Sequence, residues 1–263
     1  MSTHRLLGRI PTYPDLEGKV AVVTGGSGGI GSATCRLLAA NGVKVAVGGR
    51  NEAAIHAVVE EIRDSGGEAI GATADCTDFA AVEKMREKVE TVLGPVDILA
   101  AFAGGGSARP GPVAEIPEDA WRSTVDNSLT ATFLTLKSFL PGMIERGRGS
   151  IVTMSSSAAR IRTNAPATYS ASKAGVISLT RDVANETAPR GVRVNCLAPS
   201  TVLVERTESK IPEDQKERMA NEHPLGRLGT PEDIGLATLF LASESSSWIS
   251  GVTLDVAGGM VMV

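Results

Sequence analysis

The chain has 263 residues and a formal net charge of −4, so it lacks the basic surface that a nucleic-acid partner requires. Hydrophobic residues make up 42% and aromatic residues 3%, while glycine occurs 29 times, which favours an aliphatic core with helices packed closely on a parallel sheet. Three dispersed cysteines predict neither a disulfide framework nor a zinc site, and no apolar run is long enough for a signal peptide or a membrane span. We therefore expect a cytoplasmic α/β protein that binds neither nucleic acid nor a membrane.

Short β-branched runs alternate with amphipathic stretches along most of the chain. Residues 1–17 lack this pattern, and we expect an N-terminal arm there. From 18 to 263 seven strands alternate with helices, beginning with KVAVVTG and ending with VTLDVAGG. Right-handed crossovers then predict a single-domain Rossmann fold, a doubly wound seven-stranded parallel sheet with helices on both faces. The charged segment at about 200–225 interrupts the alternation and is either a substrate lid or a solvated surface helix.

The first strand ends in a glycine-rich turn, VVTGGSGGIGSA, which places Gly25, Gly29 and Gly31 ahead of a helix. Glycine gives such a turn backbone freedom and room for a pyrophosphate, which then faces the free N–H groups of the helix. A tight turn without a ligand is the alternative. Its position in the first strand–helix unit of a seven-strand pattern favours dinucleotide binding.

The ends of the next three strands indicate which dinucleotide binds. In VKVAVGGRN, Gly49 stands where an acidic residue would accept hydrogen bonds from a ribose 2′-OH, and Arg50 suits a 2′-phosphate. This favours NADP(H) over NAD(H), unless Arg50 is only a solvated strand-end residue. Asp75 either contacts the adenine or caps the helix after Thr77, or does both. The small residues of AFAGGGS let the backbone after the fourth strand approach the cofactor.

The stretch ATYSASKAG places Tyr169 four residues ahead of Lys173, on one face of a helix. We expect the lysine cation to lower the phenol pKa from about 10 towards neutrality, so that Tyr169 moves a proton beside a hydride transfer. Ser156, at the end of SIVTMSS, is placed to hold a carbonyl oxygen. Alone, such a tyrosine and lysine are usually a packed helix face and such serines a loop. In combination with the glycine-rich turn, the catalytic interpretation of these residues is favoured.

Taken together, TGGSGGIG, Asp75, Asn127 in VDNSLTATF, Ser156, Tyr169 and Lys173 resemble the classical short-chain dehydrogenases/reductases over about residues 16–260. The subgroup that looks most similar is the 3-oxoacyl-carrier-protein reductases and related ketoreductases. The resemblance implies that Tyr169 is the acid/base and that Ser156 orients the carbonyl. It also implies that Lys173 binds the nicotinamide ribose and lowers the tyrosine pKa, and that Asn127 holds a water of the proton relay.

The expected cofactor contacts lie at the carboxyl edge of the sheet. They are Gly25, Ser27, Gly29, Ile30, Gly31, Arg50, Asn51, Asp75, Cys76, Ala103, Gly104, Tyr169, Lys173, Pro199 and Val202. The three histidines form no ligand-spaced pair, so we expect no metal.

The chain departs from the family pattern at four places. Ala101-Phe102 replaces the usual Asn-Asn pair, Ser200 replaces a glycine, Val204 replaces a threonine and Ala257 replaces an aspartate. None of these positions belongs to the four residues Asn127, Ser156, Tyr169 and Lys173, hereafter the tetrad.

The sequence leaves the substrate open. Arg160 and Arg162, between Ser156 and Tyr169, either meet an anionic substrate or are surface charges. The apolar tail GGMVMV predicts a subunit interface, consistent with the homotetramers common in this family. Three functions remain: an NADP(H)-dependent reductase of a ketone or 3-oxo group, an NAD-dependent alcohol or sugar dehydrogenase, and a non-catalytic dinucleotide-binding scaffold.

Overall fold

The computed structural model describes residues 10–105, 109–204, 208 and 211–262. Seven strands form one sheet in the order β3-β2-β1-β4-β5-β6-β7, and every pair is parallel. The strands are β1 (Val20–Thr24), β2 (Lys44–Gly49), β3 (Ala69–Thr73), β4 (Ile98–Ala101), β5 (Gly149–Met154), β6 (Val192–Pro199) and β7 (Thr253–Val256). This arrangement confirms the predicted doubly wound fold.

Eight α-helices connect the strands in the described part of the chain. They are α1 (Gly29–Ala39), α2 (Glu52–Asp64), α3 (Phe79–Val92), α4 (Glu118–Val125), α5 (Ala131–Arg146), α6 (Ala167–Thr187), α7 (Glu213–Asn221) and α8 (Pro231–Ala242). A π-helical turn, Asp126–Thr130, joins α4 to α5. None of the described helices is long and apolar enough to cross a membrane.

The two faces of the sheet are buried by different helices. In β1, Val20 and Val22 pack in the cluster that contains residues of α3, α5 and α6. Ala21 and Val23 point the other way and pack with residues of α1, α2 and α8. Because successive strand residues face opposite sides, a strand covered on both faces must be apolar throughout, as the run VAVV is.

The chain reverses its direction of travel across the sheet after β3. It returns to place β4 against β1, on the side opposite β2. The connections that follow β1 and β4 therefore diverge to opposite faces and leave a crevice between them at the carboxyl edge. The sequence predicts the ligand site at this edge of the sheet.

The last residues of the predicted arm belong to the core. Leu16 is fully buried, and the backbone N–H of Tyr13 donates to Asn41 Oδ1 at 2.8 Å. The sequence predicts an arm through residue 17, but a single short turn, Pro14–Leu16, shows no period from which its burial can be inferred. Residues 1–9 of the predicted arm lie outside the described residues.

The predicted lid segment contains α7 and an isolated bridge. Val202 pairs with Gly229, and α7 carries no buried residue. Residues 205–207, 209 and 210 of this segment lie outside the described part. A surface helix that also borders a cavity fits both predicted alternatives, and the lid stays a prediction.

Candidate active site

Two cavities at the carboxyl edge of the sheet are bordered by residues of the tetrad. One, of about 320 Å³, is bordered by the glycine turn, by Arg50 and Asp75, and by Gly104 and Asn127. We call it the cofactor cavity. The other, of about 490 Å³, is bordered by Ser156, Tyr169 and residues of α7, and we call it the substrate cavity.

A larger cavity, of about 860 Å³, lies at the opposite edge, among the amino ends of β1, β4, β5 and β6. Its walls contain no residue of the tetrad. Size therefore does not identify the reaction site in this protein.

The glycine turn is shaped for close backbone contact. Gly25 and Gly29 have φ angles of +70° and +50°, which favour glycine. A Cβ at Gly31 would overlap the carbonyl oxygen of Gly25, so only glycine lets α1 begin so close to the turn. Gly28 precedes the helix without a capping side chain, which leaves the first N–H groups of α1 for an anion. The backbone therefore fits a pyrophosphate.

Thr24 holds the loop after β4 in place, a role that the sequence does not predict. Its buried Oγ1 accepts hydrogen bonds from the backbone N–H groups of Phe102 and Ala103, at 3.0 and 3.1 Å. These bonds tie the loop after β4 to the end of β1 although the usual Asn-Asn pair is replaced. The available signal was a single polar residue at the end of the apolar run VAVV.

Asp75 has a different local role from the predicted helix cap. Its Oδ1 accepts from the backbone N–H of Thr77 at 2.9 Å and from Thr77 Oγ1 at 2.7 Å. These bonds, the backbone one foremost, hold the pKa of the Asp75 carboxyl below its usual range. Helix α3 is capped instead by Asp78, whose side chain accepts from Ala80, because Asp78 directly precedes the first helical residue. The predicted cap at Asp75 is therefore wrong.

Arg50 and Asn51 border the same cavity. Arg50 Nη1 lies 3.8 Å from Asp75 Oδ2, and both side chains are exposed, so this ion pair is weak. Asn51 caps α2 by accepting from the N–H of Ala54 at 3.1 Å. The guanidinium therefore stays accessible beside the predicted ribose position.

Lys173 is almost completely buried, with 3% of its surface exposed. Its Nζ donates to the carbonyl oxygen of Met154 at 2.8 Å, and Ser155 Oγ donates to the Lys173 carbonyl at 2.8 Å. Burial lowers the pKa of Lys173 to about 8. A Cβ at Gly104 would lie 3.2 Å from Nζ, so the loop after β4 lies close to the ammonium group.

Tyr169 is half-buried at the wall of the substrate cavity. Burial raises the pKa of its phenol, and a hydrogen bond with the Ser156 side chain acts in the opposite direction. Lys173 Nζ lies 5.7 Å from the centre of the tyrosine ring. The sequence predicts that this pKa is lowered, but in the structure it is raised, because burial removes the phenol from water. The ammonium group of Lys173 donates to the Met154 carbonyl. Because its pKa is raised above the usual value of about 10, Tyr169 keeps its proton at neutral pH.

Asn127 lies in the π-helical turn between α4 and α5. Its Nδ2 donates to the Ser123 carbonyl at 2.7 Å, and Asn127 also borders the cofactor cavity. The next residue, Ser128, donates to the Gly105 carbonyl at 3.3 Å and accepts from the Gly105 N–H at 3.4 Å. The wider turn, a local form common at functional sites, thus joins the helix to the loop after β4.

A second contact missed in the sequence lies at the end of β6. His223 is buried, its Nε2 lies 2.9 Å from Ser200 Oγ, and its Nδ1 lies 2.8 Å from the Met219 carbonyl. The hydroxyl that replaces the usual glycine therefore ties the chain after α7 to the sheet. No local pattern signals this pair, because its members are 23 residues apart.

The predicted residues divide between the two cavities. Ser156 and Tyr169 border the substrate cavity and Asn127 borders the cofactor cavity, whereas Gly29, Gly31 and Lys173 border neither; Lys173 lies close to Gly104 and to the tyrosine ring. Ile30, Pro199 and Val202 border neither cavity, and Ile30 and Val202 pack instead in the cluster around Leu197. The predicted contacts that border the cofactor cavity are Gly25, Ser27, Arg50, Asn51, Asp75, Cys76, Ala103 and Gly104.

Known proteins share this fold and sequence. A family profile described as enoyl-(acyl carrier protein) reductase matches residues 25–261. The chain is 38% identical over 245 residues to a 3-oxoacyl-[acyl-carrier-protein] reductase of Chlamydia pneumoniae, covering 93% of this chain and 98% of that protein. It is also 38% identical over 248 residues to a cis-4-hydroxycyclohexanecarboxylate dehydrogenase of Sinomonas cyclohexanicum, covering 93% and 97%.

A solved structure, a 3-oxoacyl-[acyl-carrier protein] reductase with bound NAD from Brucella melitensis, superposes with a TM-score of 0.87. Its sequence is 29% identical, and the match covers 95% of this chain and 94% of that one. The cofactor class is accordingly a nicotinamide dinucleotide. The chain belongs to the short-chain dehydrogenase/reductase family, and it is an oxidoreductase that acts on CH–OH or C=O groups.

Proposed function

We propose that this protein is an NADP(H)-dependent oxidoreductase that reduces a ketone or 3-oxo group to an alcohol, or catalyses the reverse reaction. The observation that carries the proposal is that Ser156 and Tyr169 line the substrate cavity while Lys173 Nζ lies 5.7 Å from the centre of the Tyr169 ring. A hydroxyl, a proton-bearing phenol and a buried ammonium group are thereby available beside a nicotinamide site.

Each residue of the tetrad has its own role in the proposed reaction. When bound, the cofactor supplies or accepts the hydride. Tyr169, whose pKa is raised by burial, donates its proton to the carbonyl oxygen, and the Ser156 hydroxyl orients that oxygen. Lys173 holds the nicotinamide ribose and raises the local positive potential, and Asn127 holds a water of the proton relay. A well-placed general acid accelerates such a step by about 10²–10⁴-fold.

The preference for NADP(H) is supported at the end of β2. Position 49 has no carboxylate, and a Cβ there would lie 3.1 Å from Ser27 Oγ, so the site has little room for one. Arg50 is exposed, and its separation of 3.8 Å from Asp75 leaves it available to a 2′-phosphate. An NAD-dependent dehydrogenase is the second candidate, favoured by the NAD in the Brucella structure.

The proposal includes a homotetramer in the cytoplasm, acting on a small molecule. Two separate groups of exposed apolar side chains, on α4 and α5 and around β7, support more than one subunit interface. All three cysteines are unpaired, as a reducing compartment favours.

The cofactor assignment is tested by fluorescence titration with NADPH and NADH. Arg50→Gln removes an exposed cation at the carboxyl end of β2, and Lys44→Gln removes a partly buried one at the amino end. We expect Arg50→Gln to weaken NADPH about 10-fold or more and to leave NADH unchanged, whereas Lys44→Gln changes neither. Tighter binding of NADH to the wild-type protein would transfer the assignment to the NAD-dependent alternative.

Turnover is tested with a panel of ketones, 3-oxoacyl thioesters, quinones and cyclic oxo acids, the last chosen because one relative is named for a hydroxycyclohexanecarboxylate. Tyr169→Phe removes only the hydroxyl and should lower turnover about 10²–10⁴-fold while the cofactor dissociation constant stays unchanged. Tyr13→Phe, at the chain's other tyrosine, is the control. Full turnover by Tyr169→Phe would overturn the proposed acid.

A further inference from the structure

The substrate cavity has two charged side chains in its described wall, Arg162 and Glu222. The wall also contains the reacting groups, Ser156 and Tyr169, and the apolar side chains of Met219 and Met260, among neutral polar residues. A cavity of about 490 Å³ has the size of a small-molecule site. Its charges therefore bear on which substrates it accepts.

The two arginines that the sequence could not distinguish have different surroundings in the structure. Arg160 makes a two-point ion pair with Asp255, with N–O distances of 3.2 and 3.1 Å, and both side chains are largely buried. Its guanidinium is therefore occupied within the fold. Arg162 is exposed at the cavity wall, and no described carboxylate lies within 4.0 Å of it.

Three other described cations, on α7 and just after it, have carboxylate partners. Lys216 and Arg218 of α7 pair with Glu213 and Asp214 of the same helix, and Arg227 pairs with Asp233. Glu222 also borders the substrate cavity, but it is not within ion-pair distance of Arg162. Arg162 thus presents a planar set of donors to the cavity without a described acidic partner.

We propose, on the basis of the function proposed above, that the substrate carries an anionic group bound by Arg162 while its carbonyl lies at Ser156 and Tyr169. A carboxylate fits best, because it accepts two parallel hydrogen bonds from a guanidinium. The carbon skeleton between the two groups contacts the methionine side chains. Glu222 repels the anion from its own side of the cavity and favours a position at Arg162.

The test compares matched pairs of charged and neutral substrates. One pair is 4-oxocyclohexanecarboxylate and its methyl ester, and the other is acetoacetyl-coenzyme A and acetoacetyl-N-acetylcysteamine. Each is assayed with the more tightly bound reduced cofactor at low and high salt, using wild type, Arg162→Gln, Arg162→Lys and Glu222→Gln. The dissociation constant of each compound from the enzyme–cofactor complex is measured by calorimetry, independently of turnover.

We expect Arg162→Gln to raise KM and the dissociation constant of the oxo acid about 10-fold at low salt, with kcat unchanged and the ester unaffected. Arg162→Lys should restore part of the loss. Glu222→Gln should act in the opposite direction and strengthen binding of the acid. If only the coenzyme A ester responds to Arg162→Gln, the anionic group is a phosphate of an acyl carrier and not a substrate carboxylate.

Equal effects of Arg162→Gln on the charged and neutral members of both pairs would overturn the inference, and so would wild-type binding without any preference for charge. Absence of turnover with all four compounds, while the charged members still bind through Arg162, would instead count against the proposed reaction. The two failures are therefore distinguishable.

Discussion

Lys173 occupies an unusual position for a charged side chain, because nearly all of it is removed from water. Burial lowers its pKa from 10.5 to about 8, so the folded protein releases this proton at a lower pH than the unfolded chain does. Between these two values the unfolded chain binds more protons, and the stability of the folded protein rises with pH. Below pH 8 the folded state carries the full cost of the buried charge.

This cost can be measured by comparing wild type with Lys173→Met in urea at pH 7 and pH 9, without cofactor. We expect the unfolding free energy of wild type to rise by about 1 kcal/mol relative to the variant over this interval. The comparison between variants cancels the contributions of Cys35 and Cys76, whose raised pKa values act in the opposite direction above pH 9. Lys44→Met, at a lysine that is only partly buried, is the control, and an unchanged difference at Lys173 would show that its ammonium group keeps a normal pKa.

Single residues differ in how far the sequence determines their role. The spacing of Tyr169 and Lys173 follows from the helical repeat, so their proximity was predictable. The direction of the tyrosine pKa was not, because it depends on burial by distant elements. The contacts of Thr24 and of His223 were missed for the same reason: their partners come from other strands and loops.

At the scale of elements, the site depends on how closely α1 approaches the turn that precedes it. A Cβ at Gly31 would overlap the Gly25 carbonyl, whereas a Cβ at Gly28 meets nothing within 4 Å. Gly28 also has an extended backbone, with φ of −173°, which alanine adopts without strain. The two glycines, three residues apart, therefore form a matched pair for testing the turn.

We expect Gly31→Ala to displace the turn, to lower the unfolding free energy by about 1–3 kcal/mol and to abolish detectable cofactor binding. Gly28→Ala should change stability by only a few tenths of a kcal/mol and should still bind the cofactor. Urea unfolding and cofactor fluorescence measure the two effects. Equal cofactor binding by both variants would mean that the close approach of α1 is not needed for the site.

Element order and type followed from the sequence because each strand is a short run that begins at a glycine or within a few residues after one. The structure of the predicted lid segment, at about 200–225, could not be inferred from the sequence in this way. Its described helix, α7, buries no residue, and Ser200 and His223 fix its far end through a contact that no period encodes. Elements held by a continuous apolar face are therefore predictable, whereas those held by one polar contact require the structure.

At the scale of the whole molecule, the interface that the sequence predicts at the apolar tail stays a prediction. Val261 is buried within its own chain and Met260 borders the substrate cavity, so Met262 is the described tail residue left largely exposed. Exposed apolar side chains instead form two groups elsewhere. One contains Trp121 and Phe133, on α4 and α5, and the other contains Trp248, Val252 and Leu254, around the edge strand β7.

Two separate apolar surfaces favour a tetramer built from two kinds of two-fold interface, because each surface pairs with its own copy. Phe133→Glu should then break one interface and Trp248→Glu the other, since a charge buried in an apolar contact is costly. Light scattering should give a tetramer for wild type, dimers for each single variant and a monomer for the double variant. Circular dichroism checks that the variants remain folded, and a monomeric wild type would show that these side chains are simply exposed.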